Sequence, residues 1–201
     1  MTVHRVNNDL LIGSSIALAR FPILLAEHIR RYPTTGATEN AGLAFIQAGL
    51  NDNEVAEFVR GVCAWGGYAG IGGRILQRNA LDAIGEALRE AYQLIVADPP
   101  QQGQALARIN RLHSLGTPSF ASKHLRFLRP EVCPVYDSVL RDGHPYPFDP
   151  DGYKEFSDDC RTVCFHLQNA AVVNPIQRLG EVWYVADVEA ALFVEANGWV
   201  A

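Results

Sequence analysis

Sulfur and lysine are scarce in this sequence. Of 201 residues, four are cysteine, one is methionine and two are lysine. Four cysteines in a chain of this length, without an export signal, indicate a reduced protein rather than a disulfide framework, and we expect a cytoplasmic location. Long apolar runs are also missing, because Arg20 and Pro22 interrupt the most apolar N-terminal segment, Leu10 to Ala26. We therefore expect neither a signal peptide nor a membrane span.

The sequence signals for a metal site and for a nucleotide-binding site are both weak. Cys160 and Cys164 lie four residues apart with His166 nearby, but two thiols and one imidazole out of phase with them are too few for a zinc site. We interpret the thiols as small buried residues and expect no metal and no cofactor. Residues 66–73 contain five glycines, yet helices flank this predicted loop on both sides. A dinucleotide or phosphate fingerprint needs a strand before the loop, so nucleotide binding is disfavoured.

The composition is that of a soluble globular chain with a weak acidic balance. Hydrophobic residues make up 48%, charged residues 19%, and the net charge is −5. This balance disfavours a protein that coats nucleic acid indiscriminately. The stretch from Ala105 to Arg141 nevertheless carries six basic residues against two acidic ones. Such a local excess fits either an ordinary solvated helix face or a restricted contact with a phosphate backbone.

Apolar periodicity and capping residues predict an all-α chain without internal repeats. The predicted helices are Ser14 to Arg31 with a kink at Pro22, Thr38 to Leu50, Asn53 to Trp65, 80–97, Gln102 to Leu115, Ser119 to Leu128, Ser138 to Arg141, Gly152 to Asn169 and Val185 to Asn197. Asn51 or Asp52 is the expected cap of the third helix. Val182 to Val185 is the only segment whose composition permits a strand.

One helical pair suggests a function. The two helices that meet at the turn between Leu115 and Ser119 precede an extended, proline-containing strip that ends at Asp137. A tight helical pair can present backbone N–H groups to a phosphate without reading sequence. A carboxylate held just beyond that contact would face a sugar of the bound strand. Alone, Asp137 is an ordinary cap for the helix that follows it.

The stretches Ser114 to Leu128 and Cys133 to Leu140 resemble the helix-hairpin-helix DNA glycosylase superfamily, and within it the 8-oxoguanine glycosylase-like branches. The resemblance implies two small helical subdomains with the active-site cleft between them. It implies a helical barrel over residues 38–142 with a hairpin at 106–128 and a wedge loop at 65–73. Residues 1–37 and 143–201 would form the second lobe of a single domain.

The same resemblance implies that Asp137 is the catalytic carboxylate. It places Ser119 where bifunctional members carry a nucleophilic lysine, 18 residues before Asp137. Lys123 lies about one helical turn further on, and we expect it not to reach the same sugar carbon. A shifted register would instead make Lys123 the amine. Leu115 and Thr117 stand where glycines usually flank the central residue of the hairpin, which weakens the expected grip on the backbone.

Contacts with DNA are assigned by analogy and by chemistry. Residues of the hairpin and of the helix after it would bind phosphate, namely Gly116, Thr117, Ser119, Phe120, Lys123 and Arg126. Arg126 could instead be buried and hold Asp137 in place. The segment containing Trp65, Gly66 and Tyr68 would supply a wedge or line the base pocket, although a tryptophan at a helix end also suits a core anchor.

These features predict a monomeric, monofunctional DNA glycosylase. It would flip one abnormal base out of double-stranded DNA and hydrolyse the glycosidic bond, leaving an abasic site. The base would be an oxidised purine, or a bulky or hypermodified base of viral DNA, in which case the role would be defence rather than repair. The alternatives are a catalytically inactive DNA-binding module that keeps the hairpin, and a helical interaction protein without a nucleic-acid role.

Overall fold

The computed structural model describes residues 4–6, 9–12 and 14–200 and is mostly helical. The prediction of an all-α chain is therefore confirmed at this coarse level. The α-helices are α1 (Phe21–Arg31), α2 (Thr35–Gln47), α3 (Asp52–Trp65), α4 (Ala69–Arg78), α5 (Leu81–Val96), α6 (Gln102–Ile109), α7 (Pro118–Leu128), α8 (Ser138–Gly143), α9 (Pro150–Asn169) and α10 (Val185–Ala196).

Three of these helices begin at side-chain caps that the sequence places there. Asn51 accepts a hydrogen bond from the backbone N–H of Asn53 at the start of α3, and Asp137 and Asp149 cap α8 and α9 in the same way. A capping oxygen satisfies an N–H group that has no partner within its helix. The predicted starts of α3 and α8 are accordingly close to the observed ones.

A small antiparallel sheet precedes the helices and corrects the prediction for residues 14–20. Its strands are β1 (His4–Val6), β2 (Asp9–Ile12) and β3 (Ser14–Ala17), in that order, and a 3-10 helix, Leu18–Arg20, follows. Hydrogen bonds to a neighbouring strand decide this conformation, and helical spacing within the segment cannot show them. Pro22 lies in the first turn of α1 instead of kinking it, because a first-turn residue needs no backbone N–H.

Three further boundaries differ from the prediction. The helix predicted to run to Leu115 ends at Ile109, so residues 110–117 form a longer connection in which Ser114 has a positive φ of 69°. Most of the predicted glycine loop is helix α4, which leaves only residues 66–68 between α3 and α4. Residues 182–184 form no strand: backbone N–H groups of Val185 and Ala186 instead donate to the carbonyls of Glu131 and Pro130.

Helix α7 lies at the centre of the packing. Every residue from Ala121 to Leu128 is buried, and α7 contacts α2, α3, α5 and α6. Helix α1 packs against α10, and α9 packs against both α6 and α10. The buried apolar side chains of all these helices belong to one continuous core. None of the helices in the described part of the chain has the length and apolarity needed to cross a membrane.

Candidate active site

A cavity of about 150 Å³ lies where the N-terminal end of α7 meets α1, α10 and the start of α8. We call it the Lys123 cavity. Its lining combines aromatic rings with ionisable and hydroxyl groups, and consists of His28, Tyr32, Trp65, Gly66, Tyr68, Ser119, Lys123, Val135, Asp137, Ser138, Val139, Glu189 and Phe193. A larger cavity of about 940 Å³ lies along residues 168–182, but its one charged lining residue, Arg178, is paired with Glu39 and Asp187.

The extended strip before Asp137 is fixed by hydrogen bonds to three different helices. The backbone N–H of Val135 donates to Glu189 Oε2 on α10 at 3.2 Å, and that of Tyr136 donates to Ser122 Oγ on α7 at 3.0 Å. The hydroxyl of Tyr153 on α9 donates to the Pro134 carbonyl at 2.9 Å. Because the strip is buried and paired, the position of Asp137 is determined by the core and not by a surface loop.

Asp137 is a helix cap and a cavity residue at once. Its Oδ1 accepts hydrogen bonds from the backbone N–H groups of Val139 at 3.1 Å and Leu140 at 3.3 Å. Its Oδ2 lies 4.0 Å from the Lys123 amine. The two interpretations of Asp137 drawn from the sequence are therefore compatible, since each oxygen has a different neighbour.

Lys123 directs its amine back along α7 into the cavity. Side chains on a helix lean towards its N-terminus, so a residue one turn further along the chain reaches the first turn. The amine donates to the Ser119 carbonyl at 3.1 Å and to Ser119 Oγ at 3.3 Å. The one-turn separation in sequence thus does not keep Lys123 away from Ser119 and Asp137.

The amine is buried among groups of opposite electrostatic effect. Burial lowers the pKa of Lys123, while the Asp137 and Glu189 carboxyl groups act in the opposite direction, and the pKa is lowered on balance. Gly66 lies close to the lysine stem: a Cβ added there would be 3.2 Å from both Lys123 Cδ and Cε. A lysine with a lowered pKa has a larger neutral fraction at neutral pH, and only the neutral amine is a nucleophile.

Glu189 is the functional candidate that the sequence reasoning missed. It lies in the middle of α10, is only 4% exposed and lines the same cavity as Asp137. Burial raises its pKa to about 8, with Asp137 adding to the effect and Arg126, the Val135 N–H and Lys123 opposing it. A detectable signal was available, since Glu189 stands in a mostly apolar predicted helix, where a charged residue needs a specific reason to be there.

The aromatic residues proposed as wedge or pocket divide between two roles. Trp65 is partly buried, donates from Nε1 to Thr35 Oγ1 at 2.9 Å and packs edge-on against Phe127, so it forms part of the cavity wall. Tyr68 is 54% exposed at the cavity and lies edge-to-face with Phe120. Tyr68 and Gly66 are therefore the members of the predicted wedge segment that a ligand entering the cavity would meet first.

Only part of the predicted phosphate-contact set is on the surface. Gly116 and Thr117 are exposed, and Ser119 and Phe120 are partly exposed at the first turn of α7. Lys123 is buried in the cavity, and Arg126 is 2% exposed with its Nη2 2.9 Å from Glu39 Oε1. Arg126 is therefore not placed to contact a DNA phosphate. The alternative that it is buried is correct, but its ion-pair partner is Glu39 and not Asp137.

The thiols of Cys160 and Cys164 are free and buried on α9. Burial is the main reason that the pKa of each thiol is raised. A raised pKa keeps them protonated at neutral pH, which is unsuitable for metal ligation. Within residues 4–6, 9–12 and 14–200, no three His, Cys, Asp or Glu side chains are grouped as a metal site.

No family model matches this chain, and no curated protein or solved structure is significantly similar to it. The observations that bear on function are therefore the Lys123 cavity, the chemistry of its lining residues, and the sequence pattern of residues 114–128 and 133–140.

Proposed function

We propose that this chain is a DNA glycosylase that receives a flipped base in the Lys123 cavity and cleaves its N-glycosidic bond. The observation that carries the proposal is the pairing, at 4.0 Å, of a buried amine with a carboxylate beside the first turn of α7. The cavity volume of about 150 Å³ is below the ~300–1,000 Å³ usual for drug-sized ligands and suits a group as small as one base. The substrate would be double-stranded DNA carrying an oxidised purine or a hypermodified base.

Asp137 would stabilise the transition state. Cleavage of the glycosidic bond builds positive charge on the deoxyribose, and a fixed carboxylate nearby lowers the energy of that charge. The cap bonds from Val139 and Leu140 leave Oδ2 directed towards the cavity. In a purely hydrolytic enzyme the same carboxylate would also accept a proton from the attacking water.

The position of Lys123 favours a second form of the reaction, in which the amine replaces water. The neutral amine attacks the sugar C1′, the C1′–N bond breaks, and its electron pair leaves with the base. Asp137 takes the proton that the amine loses. The C1′–O4′ bond then breaks, O4′ keeps its electron pair and takes the proton held by Asp137, and the C1′–N bond to the lysine becomes a protonated imine. Such an imine would allow strand cleavage. The lowered pKa of the amine and its contacts with Ser119 favour this form over hydrolysis.

The partly exposed first turn of α7 and Tyr68 would meet the DNA. The N–H groups at the start of a helix attract phosphate, and exposed Thr117, which precedes α7, makes no side-chain cap bond to them. An exposed aromatic residue beside the cavity suits insertion or stacking next to a displaced base.

The test compares wild type with Asp137→Asn on a panel of duplexes that carry oxidised, alkylated or hypermodified bases. Asparagine keeps an oxygen that caps α8, so the variant removes the charge and leaves the helix intact. We expect base release to fall by at least about 100-fold while duplex affinity stays within about twofold. Asp142→Asn, an exposed change on the same helix, should act as wild type.

Two results would contradict the proposal. Wild type that binds duplex DNA but releases no base from the panel would indicate the inactive binding module. Wild type with no measurable affinity for duplexes, even at low salt, would indicate a helical interaction protein without a nucleic-acid role.

A further inference from the structure

The Lys123 cavity contains a second carboxyl group, Glu189, whose surroundings differ from those of Asp137. Oε2 of Glu189 accepts one hydrogen bond, from the Val135 N–H at 3.2 Å. Within the part of the chain that the structure describes, Oε1 accepts no hydrogen bond and neither oxygen lies within ion-pair distance of a cation. Asp137 instead accepts two backbone hydrogen bonds and lies 4.0 Å from the Lys123 amine.

The groups around Glu189 give it the protonated form at neutral pH. Asp137 at the start of α8 favours protonation, and Arg126 and Lys123 on α7 and the Val135 N–H oppose it. Cys160 and Tyr153 on α9 also face Glu189, and because the pKa of each is raised they are uncharged at neutral pH. The charge of Arg126 is already matched by Glu39. Burial dominates, and the pKa of Glu189 is raised to about 8.

We propose that Glu189 is the general acid of this site and donates its proton to the departing base. The inference rests on the proposed function and adds a catalytic group to it. As the C1′–N bond breaks, its electron pair moves onto the base, and the Glu189 proton neutralises the charge that develops there. The attacking water or amine loses its proton to Asp137. After the base has left, Asp137 gives up the proton it accepted and solvent returns a proton to Glu189.

The other ionisable residues of the cavity are less suited to this role. Burial lowers the pKa of His28 to about 3, so its imidazole is neutral at neutral pH and lacks the acidic proton of an imidazolium. Burial raises the pKa of Tyr32, which makes its phenol a weaker acid than usual. Lys123 lies beside Asp137, the group that accepts a proton, and in the amine form of the reaction Lys123 is the nucleophile. Two carboxyl groups in one cavity with different surroundings are the usual arrangement for an acid and a base.

The first part of the test needs no substrate. Protein labelled with carboxyl-¹³C glutamate is titrated by NMR, and the Glu189 resonance is assigned as the one missing from Glu189→Gln. The proposal requires a midpoint near 8. A midpoint in the ordinary range for glutamate, near 4, would overturn it.

The second part measures single-turnover release from whichever duplex of the panel wild type acts on. Glu189→Gln has the same size and no exchangeable acid proton, so we expect release at neutral pH to slow by about 100-fold or more with duplex affinity unchanged. The wild-type rate should fall as pH rises through about 8, because the carboxyl then loses its proton, and the variant should lack that fall. Glu195→Gln, also on α10, is the matched control.

A further comparison separates proton donation from a merely structural role. The same base carrying an electron-withdrawing substituent leaves as a more stable anion, so Glu189→Gln should lose less activity on it. If the variant is slowed equally on both bases and keeps the wild-type pH profile, Glu189 is not the acid. If wild type releases a base and the variant matches it at every pH, this inference fails while the proposed function stands. If wild type releases nothing, both fail.

Discussion

At the scale of single residues, the position of the Lys123 amine decides whether the amine can take part in the proposed reaction. The chain has only two lysines, and the other, Lys154, is an exposed residue of α9 paired with Asp158. Replacing either lysine with glutamine removes one positive charge, but only the change at Lys123 alters the cavity.

We therefore predict that borohydride traps wild type on a duplex carrying the excised base. Lys123→Gln should form no adduct, because an imine needs a primary amine, and Lys154→Gln should form as much adduct as wild type. The measurement is the covalent protein–DNA band on a denaturing gel. Normal base release by Lys123→Gln, with no adduct from wild type, would show that water is the attacking group and that the enzyme is monofunctional.

Sequence reasoning placed Asp137 at a helix cap, and the structure confirms that cap, because caps and extended proline strips are local features. It predicted a tight turn at 115–119, whereas the structure has the longer connection 110–117. It separated Lys123 from Ser119 by one helical turn, whereas the amine lies within hydrogen-bond distance of Ser119, since the distance along a helix does not give the direction of a long side chain. It missed Glu189, whose bond from Val135 joins residues 54 positions apart. Contacts of that kind depend on tertiary packing, and no local pattern contains them.

At the scale of elements, the close contact between α2 and α7 fixes the position of α7, the helix that carries Ser119 and Lys123. A Cβ added at Gly42 of α2 would lie 2.0 Å from the carbonyl oxygen of Phe127 on α7. That distance is far inside van der Waals contact, and the obstructing atom is backbone, which cannot rotate away.

We predict that Gly42→Ala destabilises the protein by about 3 kcal/mol, because the two helices must separate to admit the methyl group. Gly36→Ala, in the first turn of the same helix, meets no atom within 4 Å and should be neutral or raise stability by up to about 1 kcal/mol. Urea unfolding of both variants checks this difference. Equal stability of the two would contradict the packing of α2 on α7.

Element existence was predictable along most of the chain, and element ends were less so. The amphipathic helices α3 and α5 and the caps of α3 and α8 are found close to their predicted places. The N-terminal sheet was missed because the apolar spacing after Ser14 fits a helix and does not show the pairing between short neighbouring strands. The glycine-rich segment was assigned to a loop on composition, yet packing keeps residues 69–78 helical despite the intrinsic cost of about 1 kcal/mol per glycine.

At the scale of the whole molecule, four charged side chains distant in sequence form one buried network. Glu39 of α2 bridges Arg126 of α7 and Arg178, and Arg178 also pairs with Asp187 of α10 at 2.6 Å. The network connects α2, α7, α10 and the segment that contains Arg178. Burial favours the neutral form of Glu39, but the hydrogen bonds and charges of Arg178 and Arg126 outweigh it and lower the pKa of this carboxyl.

We predict that Glu39→Gln lowers the free energy of unfolding by about 3–5 kcal/mol at pH 7, because it leaves the buried guanidinium of Arg126 without its counter-charge and leaves Arg178 with Asp187 alone. A carboxyl whose pKa is lowered on folding stabilises the fold above its unfolded pKa, near 4.5, and loses that effect as the pH falls through the folded value. The gap between wild type and variant should therefore narrow below about pH 4.5. Glu57→Gln, an exposed change on α3, is the control; a gap independent of pH would contradict the role of Glu39.

Two products counted in one reaction test the role of Asp137 directly. Duplexes carrying modified bases are incubated with wild type or Asp137→Asn, free bases are quantified by mass spectrometry, and sugars that have lost their base are counted by aldehyde labelling. We expect one free base for each base-free sugar with wild type, and neither product above background with the variant. Equal release by both proteins would show that Asp137 has no part in the chemistry and would contradict the proposed function.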